Sequence, residues 1–184
     1  MIYLLRHGQT DRNLQKRFSG SVDVPINETG MVQAKAQANK LKNIKFDVAF
    51  SSPQKRARQT LEIIHKGKII LDDRLREIVC GEFENTPQTT QSFNDFYAAM
   101  KNGTRGVEQW DIFTNRVNDF CDMLVEKHNG KSIIICTHAA NVQYMNYYFL
   151  GKPKDYDFTK SVGKQGEYLL LDNSAISSLQ EKLR

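Results

Sequence analysis

At 184 residues with a formal net charge of +5, the chain is long enough to bury an apolar core without metal or disulfide staples, and its modest cationic excess suits anionic ligands without naming one. Its three cysteines, Cys80, Cys121 and Cys136, are too few and too scattered for a disulfide framework or a zinc site, and no apolar run approaches the roughly 20 residues of a membrane span or resembles a signal peptide. Lysines such as Lys35, Lys40, Lys42, Lys45, Lys66 and Lys68 are spread over helix faces and turns like solvated surface, not like a nucleic-acid track, so a single cytoplasmic domain over 1–184 is expected, with no nucleic-acid or membrane partner and no assigned oligomeric state.

The chain opens on an unbroken apolar run, residues 1–5, stopped by Arg6, His7 and Gly8; so short a run reads as a buried parallel strand. Arg6 and His7 then sit at its carboxyl end, where ligands bind in open α/β sheets. Gly8 permits a sharp turn and a close approach to the backbone, and Thr10 or Asp11 can cap a helix. Asn27 or Thr29 can cap the next, in which Met31, Ala34, Ala38 and Leu41 recur at helical spacing. Residues 47–51 read as a second buried strand that runs into Ser51-Ser52-Pro53. Ser52 as N-cap and Pro53 in the first helical position predict a helix there, with Ala57, Leu61 and Ile64 inward.

A short strand is expected over 68–71, then an irregular stretch over 72–81 that carries Leu75-Arg76-Glu77. Residues 84–106 are polar around Phe93, Phe96 and Tyr97, with a helix near 92–101, and 85–106 is a candidate lid. Residues 110–127 form an amphipathic helix with Phe113, Val117, Phe120, Leu124 and Val125 inward; 132–137 is a buried strand ending at His138. A helix over 139–150, with Val142, Met145 and Phe149 on one side, stops at Gly151 and Pro153. Strands over 165–172 and 175–179 flank a turn at Asn173-Ser174. This alternation predicts a three-layer α/β fold, a mostly parallel sheet with helices on both faces and right-handed crossovers.

Three chargeable clusters fall at or just beyond strand ends: Arg6 with His7, Arg56 in the first helical turn after Ser51-Ser52-Pro53, and His138. Each alone has a plain structural explanation, Arg56 as a surface helix residue, His138 as a helix cap and Glu77 as a solvated loop carboxylate. Their shared position argues for one anion pocket. A neutral imidazole is a competent nucleophile toward phosphorus, a guanidinium fork holds two phosphate oxygens, and helix N-termini aim N–H groups at anions.

Leu-Arg-His-Gly-Gln-Thr with Asn13, then Ser19-Gly20, Asp23 and Pro25, resembles the opening of the histidine phosphatase superfamily, the phosphoglycerate mutase-like proteins. Ser51-Ser52-Pro53 with Arg56-Ala57 and Gln59-Thr60 is similar to that family's second motif. Leu75-Arg76-Glu77 with Gly81-Glu82-Phe83-Glu84 is similar to its proton-donor segment, Gly106-Val107-Glu108 to another recurrent stretch, Thr137-His138 to its second histidine, and Asn173-Ser174-Ala175-Ile176 to its late turn. The resemblance implies a phosphoglycerate mutase-like fold, a catalytic set of Arg6, His7, Arg56, Glu77 and His138, and a phosphate cradle of Arg6, Asn13, Ser19, Gly20, Arg56, His138 and Ala139.

It further implies hydrolysis of a small phosphorylated metabolite through a phosphohistidine on His7, with no metal or other cofactor and with a protonated His138 helping to hold the phosphoryl oxygens. Two departures stand out. Ala139-Ala140 replaces a usual glycine pair, and Asn85 replaces a usual glycine. Ile78-Val79 after Glu77 and the short, largely uncharged segment beyond weigh against the alternative of a cofactor-dependent phosphoglycerate mutase; retention of all five catalytic side chains weighs against a non-catalytic phospho-ligand binder. Substrate choice is expected from 85–106 and 155–166, through Tyr97, Lys101, Arg105, Tyr156 and Lys164.

Overall fold

In the computed structural model, which describes residues 1–155 and 165–171, the apolar runs read from the sequence lie side by side as strands. These are β1 (Ile2–Arg6), β2 (Val48–Ser51), β3 (Ile70–Leu71), β4 (Ile133–Thr137) and β5 (Tyr168–Leu171), in the sheet order β3-β2-β4-β1-β5. β1, β2, β3 and β4 run parallel, and β5 lies antiparallel on β1. Every residue of β4 is buried, because a strand flanked by two others and covered on both faces meets no water.

The side-chain period of two divides the strands between two apolar layers. Ile2, Leu4, Ile133 and Ile135 point to a larger core with Val117, Phe120, Leu124 and Met145, whereas Tyr3, Leu5, Ile134 and Cys136 point to a smaller one with Leu41, Ala57 and Leu61. The larger layer is built from α4 (Thr90–Asn102), α5 (Trp110–Lys127) and α6 (Ala139–Phe149), the smaller from α2 (Glu28–Leu41) and α3 (Lys55–Ile64). This is the expected three-layer α/β architecture. A four-residue helix, α1 (Asp11–Leu14), follows β1 and is closed by a capping box between Thr10 and Asn13.

Local differences from the sequence reading have identifiable causes. α3 starts at Lys55 with Gln54 as its cap residue, two positions later than Ser52-Pro53 suggest. The Ser52 hydroxyl is engaged by His138 at 2.8 Å, and residues 52–54 form a separate turn in which the Gln54 N–H donates to Ser52 Oγ at 3.3 Å. On α2 the buried stripe is Gly30, Ala34, Gln37 and Leu41, and Met31 is 40% exposed. Gly30 turns inward because α2 packs directly on the backbone after β1, where a Cβ at Gly30 would meet the Gln9 carbonyl oxygen at 2.3 Å. β3 is shorter than expected and both its residues are exposed, as suits an edge strand. The strand over 175–179 and the Asn173-Ser174-Ala175-Ile176 turn lie outside the described residues, as do Tyr156 and Lys164.

The larger core is an aromatic lattice in which Phe120, fully buried, meets Phe50 edge-on at 5.4 Å and lies under the Arg74 guanidinium at 5.3 Å. Phe120→Ala should therefore cost about 3–5 kcal/mol, read as a lower urea midpoint, whereas Met31→Ala on the exposed face of α2 should stay within about 0.5 kcal/mol of the parent.

Candidate active site

Parallel pairing sets Arg6 opposite Thr137 and Ser51 opposite Cys136, so β1, β4 and β2 end together. The chain beyond each strand stays attached to its neighbour: the His7 N–H donates to the Thr137 carbonyl and the Ser52 N–H to the Cys136 carbonyl, both at 3.0 Å. His7, Ser52 and His138 thus meet at one edge of the sheet. The His7 and His138 rings lie 5.2 Å apart between centroids.

The two imidazoles hold opposite tautomers. His7 Nδ1 lies 2.7 Å from the Gly8 carbonyl oxygen; a carbonyl only accepts, so Nδ1 carries the proton and the Nε2 lone pair is left free. At His138 the Arg56 Nε–H donates to Nδ1 at 3.2 Å, which leaves Nε2 to donate to Ser52 Oγ at 2.8 Å. Both rings are neutral. Burial pushes each well below the ordinary histidine pKa, with Arg56 and Arg6 adding to the effect, and at His7 this outweighs the hydrogen bond to Gly8. The expectation of a protonated His138 is therefore corrected, since an imidazolium would set an N–H against the Arg56 N–H. The ring is fully buried, with both nitrogens engaged.

Arg56 is 1% exposed. Besides His138 it donates from Nη1 to the Val22 carbonyl at 2.8 Å and from Nη2 to the Gly20 carbonyl at 3.0 Å. Three of its five N–H groups are thereby used, and one remains on each terminal nitrogen. Burial lowers its proton affinity, as it does that of Arg6, while Glu77 raises both. Glu77 shows the reverse: desolvation raises its pKa against the opposing pull of Arg56, the Ile78 N–H and Arg6. A carboxyl in a low-dielectric cleft beside two arginines is thus held closer to protonation than a solvated one.

The remaining cradle residues divide by role. Asn13 Oδ1 is occupied by the Thr10 N–H and hydroxyl at 3.1 and 2.9 Å, so its amide nitrogen is the end available to a ligand. Ser19 Oγ is buried at the cavity wall with no hydrogen-bond partner among the described residues. Ala139 opens α6 beside it. The Gly20 carbonyl, by contrast, accepts from Arg56 and from Gln54 Nε2 at 3.1 Å. Gly20 anchors the arginine, in a left-handed turn (φ +49°) where a Cβ would strike Glu84 Oε1 and Cys80 at 2.6 and 2.8 Å.

Three side chains outside the sequence-derived set join these parts. Buried Gln54 donates to Gly20 and accepts the Glu77 N–H at 2.9 Å. Thr60 Oγ1 accepts the Gly8 N–H at 2.9 Å and donates to the Arg56 carbonyl at 2.6 Å. Ser52 holds His138. A glutamine or serine in a turn carries no local pattern that distinguishes such a role. Asn85 has a plain explanation: its φ of +66° is a left-handed position that asparagine tolerates better than most residues, which is why a glycine is usual there.

A cavity of about 650 Å³ opens from Arg6, His7, Arg56 and Glu77, and its far walls are Phe18, Phe93, Phe96, Tyr97, Met100, Trp110, Phe113 and Tyr144. Tyr97 of the expected specificity residues lines it. Lys101 lies on a separate depression next to it, and Arg105 pairs with Glu82 at 3.0 Å. Among the described residues no three His, Cys, Asp or Glu side chains cluster as a metal site requires, and no helix is long and apolar enough to cross a membrane.

Comparison with known proteins identifies the family of the chain. Residues 2–163 match the profile of the histidine phosphatase superfamily, branch 1. The chain is 31% identical to a Schizosaccharomyces pombe protein named "Probable phosphatase C1687.21", over 97% of this chain and 86% of that one, and 30% identical to the "Probable phosphoglycerate mutase GpmB" of Yersinia pestis, over 83% and 75%. The alpha-ribazole phosphatase of Shigella flexneri has the same fold, with a TM-score of 0.77 at 23% identity over 91% of this chain and 87% of that one. The chain belongs to the histidine phosphatase superfamily, branch 1.

Proposed function

We propose that this protein is a phosphomonoester hydrolase that works on a small phosphorylated metabolite through a phosphohistidine on His7. The observation that carries the reading is the His7–Gly8 hydrogen bond, which fixes the proton on Nδ1 and leaves Nε2 as a nucleophile between two arginines. In the first half of the reaction Nε2 attacks phosphorus, an N–P bond forms, the bond to the ester oxygen breaks, and protonated Glu77 gives its proton to the departing alcohol. In the second half the Glu77 carboxylate takes a proton from water as the water oxygen attacks phosphorus, and the N–P bond breaks.

Arg6 and the two unused N–H groups of Arg56 face the charge that develops on the equatorial oxygens, and the Asn13 amide and Ser19 hydroxyl add neutral donors. His138 serves this arrangement by accepting from Arg56 and so orienting its fork. Charge stabilisation of this kind assigns no step to a metal ion. The free, buried cysteines suit a reducing cytoplasm.

Every phosphomonoester shares its phosphoryl oxygens, so discrimination comes from the rest of the cavity. There the walls are aromatic: Phe93 and Tyr97 of α4 stack at 6.2 Å, and Trp110 meets Tyr144 edge-on at 6.0 Å. Such a surface favours an apolar or aromatic alcohol over the carboxylate-bearing body of phosphoglycerate, which supports a hydrolase and not a mutase. The segment 85–106, the candidate lid, supplies Phe93, Phe96, Tyr97 and Met100 to this wall.

Labelled aryl phosphate quenched during turnover in excess EDTA should leave phosphate on His7, stable in alkali and lost in acid; label that persists in His7→Ala, or a rate abolished by EDTA and restored by a divalent metal, would contradict the mechanism. On substrate choice, 2-phenylethyl phosphate should exceed 3-phosphoglycerate in kcat/KM by about tenfold or more, with Trp110→Ala narrowing the gap, the range expected for a lost apolar contact. Nitrogen-15 imidazole spectra should show Nδ1–H at His7 and Nε2–H at His138, and because both pKa values are lowered neither ring should gain a proton as the pH falls through about 6.5.

A further inference from the structure

The motif Gly106-Val107-Glu108 is left without a part in the phosphate chemistry, yet its carboxylate is among the most tightly held in the protein. Glu108 Oε1 and Oε2 accept from Arg116 Nε and Nη2 at 2.7 and 2.9 Å, a two-pronged pair whose side chains are 9% and 18% exposed. Charges withdrawn this far from water need such a partner. Glu108 Oε2 also accepts the Val79 N–H at 3.2 Å, and the Glu108 N–H donates to the Val79 carbonyl at 3.0 Å.

The other side of the pair reaches the same loop from the opposite direction. Arg116 Nη1 donates to the Arg74 carbonyl at 2.7 Å and approaches Asn141 Oδ1 at 3.5 Å. Fully buried Asn141 of α6 in turn donates to the Arg76 carbonyl at 2.9 Å. The backbone is therefore gripped at residues 74, 76 and 79, on both sides of Glu77. The two stretches also touch directly: the Glu82 N–H donates to the Arg105 carbonyl at 3.0 Å, and a Cβ on Gly81 would collide with that carbonyl oxygen at 2.2 Å.

Glu77 needs this outside support. Its carboxylate accepts the Ile78 N–H at 3.1 Å and its own N–H is held by Gln54. The cations around it come from three elements, Arg56 of α3, Arg6 of β1 and Arg116 of α5, with the Cys80 thiol beyond it in the chain. Of these cations, Arg116 is matched at bonding distance by the carboxylate of Glu108.

We propose that Glu108 and Arg116 are positioning residues for the proton donor: as a two-pronged pair they clamp residues 74–79 so that the Glu77 carboxyl meets the ester oxygen of the departing alcohol. The assignment rests on the reading of Glu77 as general acid. Loss of the clamp therefore harms an ester in proportion to its need for a proton. 4-Nitrophenyl phosphate, whose leaving group departs unprotonated, is affected little; 2-phenylethyl phosphate, whose alkoxide must be protonated, is affected strongly.

The test compares kcat/KM for these two esters in the parent, Glu108→Gln, and Glu108→Gln/Arg116→Met, the last of which leaves no lone charge buried. Both variants should lose at least about tenfold more with the alkyl than with the aryl ester, while inhibition by inorganic phosphate stays within about twofold. Glu77→Gln should widen the alkyl-to-aryl gap by itself, and adding Glu108→Gln to it should widen the gap no further. Equal losses on both esters in the folded double variant, or additive widening on top of Glu77→Gln, would overturn the clamp. A Glu77→Gln enzyme with an unchanged gap would instead overturn the general-acid reading, and the clamp with it.

Discussion

A guanidinium that is 1% exposed needs partners in a medium that does not solvate it, and most of the site follows from how three of the Arg56 donors are met. Two are answered by the carbonyls of Gly20 and Val22, and a third by the imidazole of His138. The loop after β1, the first turn of α3 and the end of β4 are thereby tied to one planar group. Breaking any of these bonds would strand a charge in the interior, so the three segments are held together far more firmly than their own short contacts would hold them.

The same constraint decides the state of the histidines. Because Arg56 donates to His138, that ring is neutral with its proton on Nε2, and Ser52 takes it. Burial and the neighbouring arginines keep His7 neutral, and because the Gly8 carbonyl accepts from it the proton lies on Nδ1. Two buried imidazoles about 5 Å apart would repel as cations. As neutral rings of opposite tautomer they divide the work, one presenting a lone pair and the other bracing the arginine. The positive field at the phosphate end then comes from arginines, whose charge does not titrate near neutrality.

Around this cationic floor the fold arranges two surfaces with different demands. The loop that carries Glu77, the proposed acid, is held from α5, α6 and Glu108 by bonds to its backbone. The far wall, proposed to meet the body of a substrate, is made largely of aromatic side chains from α4, α5 and α6 together with Phe18. α4 serves both the core and the cavity, since Phe96, Ala99 and Met100 pack in the larger apolar layer while Phe93 and Tyr97 occupy the neighbouring stripe. A helix anchored by one stripe can change the other without loss of the fold, which makes it a natural place for substrate preference to vary.

Residues that announced themselves in the sequence did so because their signals are local. Short apolar runs stopped by Arg6-His7, by Ser51-Ser52 and by Thr137-His138 gave parallel strands with chemistry at their ends, and helical spacing gave α5 its bounds and its inward face. Local signals give way where a distant partner competes for a cap, as His138 does for Ser52 and so shifts the start of α3, or where a close backbone approach turns a different face inward, as at Gly30 of α2. The amino-acid order determined which chemical groups arrive at the sheet edge. Only the tertiary structure decided their protonation, orientation and pairing, because a tautomer depends on what lies across from each nitrogen, and those partners, Arg56 for His138 and Arg116 for Glu108, are brought within hydrogen-bonding distance only when the layers pack.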